Sequence, residues 1–306
     1  MIIKHNKGCL EVGERTLVMG ILNVTPDSFC DGGKYDDLES ALNHARKMIE
    51  DGADIIDVGG ESTRPGSSHV TADEELRRVI PVIKELSRET DKPISIDTYK
   101  AEVADKAIEA GAQIVNDISG LQADNEMVRV VAANNTPIII MHIKGQPHDF
   151  PKDPIYDDLI SEIILFFKKK IDFAVKSGIA ENNIIIDPGI GFGKTPLHNL
   201  EILKRLSELK CLNRPVMIGT SRKSFISSML RLSEPARLRP HSLLAQASSG
   251  GRSGGEEGLS KDNSQLVGTL VTLVIAIMKG VNIVRVHDVK EAVQVTKMCR
   301  AIESTN

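Results

Sequence analysis

NIIIDPGIGFGKTPLHNL, residues 183–200, holds a strand, a turn and a helix start in one short stretch. Three consecutive isoleucines make a β-branched run that is too short for a helix. It is apolar on both faces, as a strand covered on both sides must be. The run ends on a charged side chain, Asp187, and a glycine-rich turn follows. Thr195-Pro196 then supplies an N-cap with proline at the first helical position. Strand, polar end, loop and helix make one βα unit, and the number of such units decides the fold.

Eight runs of this kind occur, at 16–23, 54–60, 93–97, 113–117, 137–141, 183–187, 215–219 and 282–286. Amphipathic patterns predict helices at 37–51, 72–90, 100–110, 124–134, 157–177, 196–209, 265–279 and 288–302. Thr71-x-x-Glu74 has the spacing of a capping box, and Gly52 and Gly111 sit where C-caps belong. Eight strand–helix units predict an α/β chain folded as a (β/α)8 TIM barrel, with a doubly wound open sheet as the alternative. Residues 1–15 precede the first strand. Turn-like NKG at 6–8 and VGE at 12–14 predict a short N-terminal hairpin.

Bulk properties narrow the function. A net charge of −4 offers no basic surface for nucleic acid or anionic membrane, and 3% aromatics without Trp make base-stacking platforms unexpected. The four cysteines form no C-x-x-C pair, which points to a reduced, cytoplasmic setting and no metal cluster. MIIKHNKG at the start lacks the apolar core of a secretion signal, and the most apolar run, 266–278, is too short to cross a bilayer.

Active sites of such barrels lie at the C-terminal strand ends. The residues expected there are Asn23, Asp57, Asp97, Asn116 with Asp117, Met141 with His142, Asp187, Gly219 with Ser221, and Arg285 with His287. A single polar strand end reads as a helix cap, and Asp57 and Asp117 are open to that reading; a full ring of caps is not expected. Asp97, Asn116 and Asp187 form an acidic half, whereas Arg222, Lys223, Arg285 and His287 form a basic half. Carboxylates at the mouth suit paired N–H donors, as on an aminopyrimidine, with general acid–base work by paired carboxylates as the runner-up. The basic half suits phosphate, and SRKS at 221–224 opens a short helix whose N-terminus favours anions. Gly/Ser/Asp/Pro-rich loops at 23–35 and 59–71 flank the mouth and read as substrate lids.

DPGIGFGKT (187–195) also resembles a phosphate-binding G-x-x-x-x-G-K-[ST] loop, with Pro188 where the first glycine belongs. That motif puts its Lys and Thr inside the helix and wraps backbone N–H groups around phosphate. Here the helix is predicted to start only at Thr195-Pro196, and Pro188 removes one N–H. The match is therefore read as coincidence. Asp187 becomes the important residue, and the glycines turn the chain so that Phe192 reaches a pocket wall.

GILNVTPDSF (20–29), DVGGESTRPG (57–66), SIDT (95–98), VNDISG (115–120), DPGIGFGK (187–194), GTSRKS (219–224) and IVRVHDV (283–289) together resemble the dihydropteroate synthase family. The resemblance implies a TIM barrel, usually a homodimer. It implies Mg2+ and two substrates, 6-hydroxymethyl-7,8-dihydropterin diphosphate and 4-aminobenzoate, joined to dihydropteroate in folate synthesis. Asp97, Asn116 and Asp187 would hold the donor edge of the pterin, with Lys223 reaching it and Met141, Ile118, Phe192 and Gly219 as walls. Arg285 would stack on the pterin and, with His287 and Asn23, hold the diphosphate; Asn23 would also ligate Mg2+. Thr63, Pro65, Phe29 and Ser224 would shape the 4-aminobenzoate site, and Arg222 and Val286 belong to the same substrate-binding motifs. Lys223, Asp97, Arg285 and His287 would carry catalysis. The family is also a sulfonamide target. A pterin-binding methyltransferase of the methyltetrahydrofolate type shares the barrel and the acidic contacts but needs no basic pair around a diphosphate. A non-catalytic pterin-binding relative is disfavoured because every core motif is present.

The chain departs from the family at RPHSLLAQASSGGRSGGEEGLSKDNS, residues 239–264. This Ser/Gly-rich stretch is predicted to be a flexible insertion in a single domain spanning 1–306.

Overall fold

The computed structural model describes residues 1–5, 8–25, 34–62, 69–147, 149–151, 153–233 and 261–305. A two-stranded antiparallel hairpin opens the chain, β1 (Ile2–His5) and β2 (Gly8–Glu11), with Ile3 opposite Leu10. Eight parallel strands follow: β3 (Leu17–Asn23), β4 (Ile55–Gly59), β5 (Ile94–Asp97), β6 (Ile114–Asp117), β7 (Ile138–Met141), β8 (Ile184–Asp187), β9 (Met217–Ile218) and β10 (Ile283–Val286). Their order is β8-β7-β6-β5-β4-β3-β10-β9, and a parallel bridge between Ile186 and Val216 joins the two ends. The sheet is thus a closed barrel, and the open-sheet alternative is overturned.

The helices among the described residues are α1 (Lys34–Glu50), α2 (Ala72–Glu89), α3 (Ala101–Ala110), α4 (Met127–Ala133), α5 (Leu159–Lys176), α6 (Pro196–Arg205), α7 (Ser224–Ser233), α8 (Lys261–Met278) and α9 (Val289–Glu303). None is long and apolar enough to cross a membrane. Helix α8 begins at Lys261 rather than 265, so the last residues of the expected insertion are helical; residues 239–260 lie outside the described residues. Thr71 caps α2 by accepting from the Glu74 N–H, but the reciprocal half of the box is missing because Glu74 pairs with Arg77 and Arg78. The complete capping box is at α6, where Thr195 and His198 bond to each other's backbone N–H.

Alternation along the strands builds two separate layers. Val18, Ile56, Ile96, Val115, Ile140, Ile186, Ile218 and Val284 face outward and pack under the helices. Met19, Ile55, Ile114, Ile139, Ile185, Met217 and Ile283 face inward and pack with Ile3, Leu10 and Val12 of the hairpin region. The hairpin therefore plugs the N-terminal end of the barrel with apolar side chains, and the interior is a packed core rather than a pore. Two residues further along each strand, the inward positions reach the opposite mouth.

Candidate active site

Those next inward positions are Asp57, Asn116, Met141, Asp187, Gly219 and Arg285, with Asn23 and Asp97 on β3 and β5. The period-two register brings the predicted ring together on one face. The same register removes two candidates. Asp117 faces outward, and its carboxylate accepts from Ser119 N, Ser119 Oγ and Leu121 N at 2.6–2.8 Å, which makes it a loop cap. Val286, expected among the substrate contacts, is fully buried in the layer under the helices. Its neighbours Arg285 and His287 carry polar groups, but the alternation of the strand turns Val286 away.

Asp57, left open to the cap reading along with Asp117, proves to be the hub. It is 0% exposed. Its Oδ2 accepts from Arg285 Nε at 2.6 Å and from Asn116 Nδ2 at 3.1 Å. Arg285 also donates through Nη2 to Asp97 Oδ2. The guanidinium thus lies against the acidic half, instead of opposite it with the other basic groups. Its length lets it cross β3 and β4 from β10, which a ring drawn strand by strand could not reveal. The signal for Asp57 was available: it is the polar strand end two residues past the inward Ile55.

Three acceptor oxygens at this mouth, Asp57 Oδ1, Asp97 Oδ1 and Asn116 Oδ1, are buried and receive no hydrogen bond among the described residues. Buried acceptors without donors are costly, on the order of 1–3 kcal/mol each, and their convergence marks a place for a donor-rich ligand. Burial pushes the Asp97 carboxyl up to about 7, with Arg285 pulling the other way and Asp57 adding to the rise. Asp187 is likewise raised by burial, opposed by Lys223 and by the Gly189 N–H, which donates to its Oδ1 at 2.8 Å.

An apolar wall adjoins Asn116 and Asp187, with Met141 the register partner of Asp187. Ile118, Met141 and Ile143 cluster there, with Tyr99, Phe150 and Phe192 packed against them. Phe192 is delivered by the 187–195 loop. Gly189 has φ +69, and a Cβ there would lie 2.0 Å from the His142 carbonyl oxygen. Gly193 has φ +60, with the Lys144 carbonyl oxygen 2.4 Å from any Cβ. Both positions demand glycine for backbone reasons, as the non-nucleotide reading of the loop expects. Lys194, the apparent phosphate lysine, is buried with Nζ 2.9 Å from His142 Nδ1 and donates to the carbonyls of His142 and Phe192. It locks the loop to the end of β7, and desolvation holds its pKa well below the usual lysine value.

Lys223 completes this side. Its ammonium donates to the Ile190 carbonyl and stands 4.7 Å from the Phe192 ring centroid. Burial lowers its pKa to about 8, against the upward pull of Asp187. A Cβ on Gly219 would meet Arg285 at 3.7 Å, an ordinary van der Waals contact, which places Gly219 beside that side chain. Ser221 Oγ accepts the His287 N–H at 3.2 Å and lies 3.1 Å from its Nδ1, which orients the imidazole. Ser224 is exposed at the start of α7. Arg222 points outward instead, donating from Nε to Asp288 Oδ2 at 3.0 Å. Phe29, Thr63 and Pro65 lie outside the described residues.

Residues 19–287 match the family model described as pterin binding enzyme. A relative named dihydropteroate synthase, from Bacillus subtilis, is 44% identical over 301 residues, covering 98% of this chain and 93% of the relative. The chain belongs to the dihydropteroate synthases. One from Escherichia coli is 40% identical over 284 residues, 93% of this chain and 90% of its own length. Solved dihydropteroate synthases agree in fold. That of Yersinia pestis with a sulfonamide drug complex has TM-score 0.83 and 39% identity, covering all of both chains. That of Xanthomonas albilineans with 4-aminobenzoic acid has TM-score 0.81 and 36% identity, covering 97% of this chain and 96% of the other. As a dihydropteroate synthase the protein is a transferase of folate synthesis. It condenses 6-hydroxymethyl-7,8-dihydropterin diphosphate with 4-aminobenzoate and releases diphosphate.

Proposed function

We propose that the mouth described above carries out this condensation with its acidic half reading the pterin and its basic half receiving the leaving diphosphate. The carrying observation is the trio of buried acceptor oxygens on Asp57, Asp97 and Asn116. The amino and ring N–H groups of a pterin supply the donors they lack, and Asp187 extends the same edge. Met141, Ile118, Phe192 and Gly219 close on the ring, and Lys223 reaches it from across the pocket. As pterin donors take over Asp97, the Arg285 guanidinium, anchored to Asp57 through Nε, is released to stack on the ring and meet the diphosphate beside His287. Positive charge held there stabilises the oxygens as the C–O bond breaks. The electron-rich pterin spreads the cation left on its methylene. The aryl amine attacks in its neutral form, so no strong general base is required. Ser224, Phe29, Thr63 and Pro65 are proposed to hold 4-aminobenzoate; Arg222 and Val286 act behind the site, through Asp288 and the barrel wall.

Among the described residues no three acidic, His or Cys side chains gather to hold a metal. Mg2+ keeps waters and substrate phosphates as ligands rather than an all-protein cage, so a single amide oxygen at the mouth can be the protein's share of its shell. A Cβ on Gly59 would lie 3.7 Å from Asp97 Oδ2 and 3.9 Å from Asn23 Oδ1, which sets the amide oxygen of Asn23 at the mouth. Asn23 would hold the ion together with diphosphate oxygens, and Mg2+ when bound neutralises charge on the leaving group. The decisive assay is diphosphate release with and without 4-aminobenzoate. Release is expected only with the aryl amine present, lost on chelation and restored by Mg2+; release without it, or indifference to chelation, overturns the respective half of the proposal.

The working form is proposed to be a homodimer in the cytoplasm. Val267, Val271, Val274, Ile275 and Met278 line α8 with 40–54% of each exposed. Spacing of three and four residues puts them on one stripe, the kind of face a second copy covers. Sedimentation velocity should find a dimer that Val271→Glu converts to monomer; a wild-type monomer counts against the pairing.

A further inference from the structure

The 187–195 loop holds a buried lysine that the condensation does not use. Phe192 stands between Gly191 and Gly193, whose φ angles are +85 and +60. Glycine on both sides leaves the backbone around Phe192 unusually free. The Phe192 ring is itself only half-buried, so packing alone does not hold it. Its edge contact with Phe150, at 6.1 Å between centroids, is with another half-buried ring. The place of the ring therefore depends on polar ties to the backbone that carries it.

Lys194 supplies them. It is buried, and its Nζ has three acceptors: the Phe192 carbonyl at 3.0 Å, the His142 carbonyl at 3.2 Å and His142 Nδ1 at 2.9 Å. Three acceptors match the three N–H donors of an ammonium. Burial lowers its pKa well below the usual lysine value, and Asp187 pulls it back up. Burial, with Lys194 adding to it, lowers the His142 imidazole to about 2, so that ring is uncharged and free to accept. The anchor is rigid. The His142 N–H donates to the Asp187 carbonyl at 2.8 Å, and its ring lies edge-on to Phe166 and Phe167 of α5, at 4.9 and 6.4 Å between centroids. Tyr156 adds a bond from its hydroxyl to the Gly193 carbonyl at 2.8 Å. One side chain thus joins the backbone of Phe192 to the strand end beside Asp187. Buried charges are costly even when satisfied, so stability alone is a weak reason for a lysine here.

We propose that Lys194 is a positioning residue for the pterin: by holding the Phe192 carbonyl to the end of β7, it sets the Phe192 ring as a wall of the pterin pocket. This rests on the assignment of Phe192 to that wall. A lysine that served only the stability of the loop would act independently of the ring the loop carries.

The test is a double-mutant cycle of Phe192→Ala with Lys194→Met, which keeps an unbranched side chain without its donors. The readout is the dissociation constant of the pterin diphosphate, measured calorimetrically without 4-aminobenzoate. Each single variant should raise it about tenfold, within the range by which contacting residues couple. In the Phe192→Ala background Lys194→Met should cost less than about twofold, because the ring it positions is gone. Lys194→Gln, with N–H donors on a shorter arm, should lose about threefold by the same route. It takes the place of Lys194→Met in the cycle if that variant does not fold. A wild-type constant in the folded Lys194 variant, with or without a lower melting temperature, overturns the role. So does an equal loss in the presence and absence of the Phe192 ring, the result that a general disturbance of the loop gives. A wild-type constant in Phe192→Ala overturns instead the assignment of Phe192 to the pterin wall.

Discussion

Asp97→Ala is expected to lose about 10²–10⁴ in kcat/KM while remaining folded. The carboxylate meets the pterin through hydrogen bonds assisted by its charge, worth about 1.5–3 kcal/mol each, and two of them give that range. Its position permits both bonds: Oδ2 is held by Arg285, and Oδ1 is buried without a donor among the described residues. Removing the carboxylate does not leave Arg285 unpaired, because Nε keeps Asp57 at 2.6 Å. Stability is spared for a second reason. The native carboxyl titrates near 7 and the unfolded one near 3.8. Between those values the folded state binds more protons than the unfolded state, so this residue's contribution to stability falls as pH rises through the window. At neutral pH the ionised carboxylate is therefore a liability that alanine removes. Asp97→Asn should be nearly as inactive, since its amide turns N–H toward ligand N–H. Circular dichroism and steady-state kinetics check the prediction; a kcat/KM close to wild type in a folded variant would sink the role of Asp97.

Lys223→Ala should lose on the order of 10²–10³ in kcat/KM, the equivalent of one to two charge-assisted bonds at a desolvated site. The ammonium sits 4.7 Å from the Phe192 ring and interacts with Asp187, so it supplies positive charge on the wall side of the pterin pocket. Its depressed pKa makes the pH dependence informative. The charged form is lost as pH rises through about 8, and pterin affinity should fall over the same interval in the wild type but not in the variant. For stability the sign is opposite to that of a favourable ion pair. The unfolded lysine keeps its proton to higher pH, so wild-type stability gains between about 8 and the ordinary lysine value. Alanine removes that penalty, and the variant should melt no lower than wild type at pH 7. A wild-type rate, or an unchanged pH profile of affinity in the wild type, would remove Lys223 from the site.

Most of the barrel was legible because both of its periodicities are local. β-branched runs such as 183–187 declare buried strands, and the helix patterns between them declare the crossovers. The site was legible in outline for the same reason: a polar residue two positions past an inward isoleucine must face the mouth, as Asp57, Asn116 and Asp187 do. Applied strictly, that alternation would also have excluded Val286 and Asp117, which occupy outward positions. The capping of α2 was half right because a side chain at N3 can choose among partners, and Glu74 has two arginines within reach.

The opening stretch shows where local reading ends. Its strand, its capped helix and its need for glycine follow from the residue types, and they argue against reading DPGIGFGKT as a nucleotide loop. Where Lys194 goes does not follow from them. A lysine side chain spans several ångströms and can end in water, on phosphate or, as here, buried against His142, which is 52 residues away in the chain. Arg285 is the larger case. Its partner Asp57 lies 228 residues away, and only closure of the barrel brings β10 beside β3 and within reach of β4 and β5. The sequence by itself determined the eight units, the polar rim and the family. Tertiary structure decided which long charged side chains meet, because their reach exceeds the spacing between strands and pairing depends on what the closed ring places within that reach.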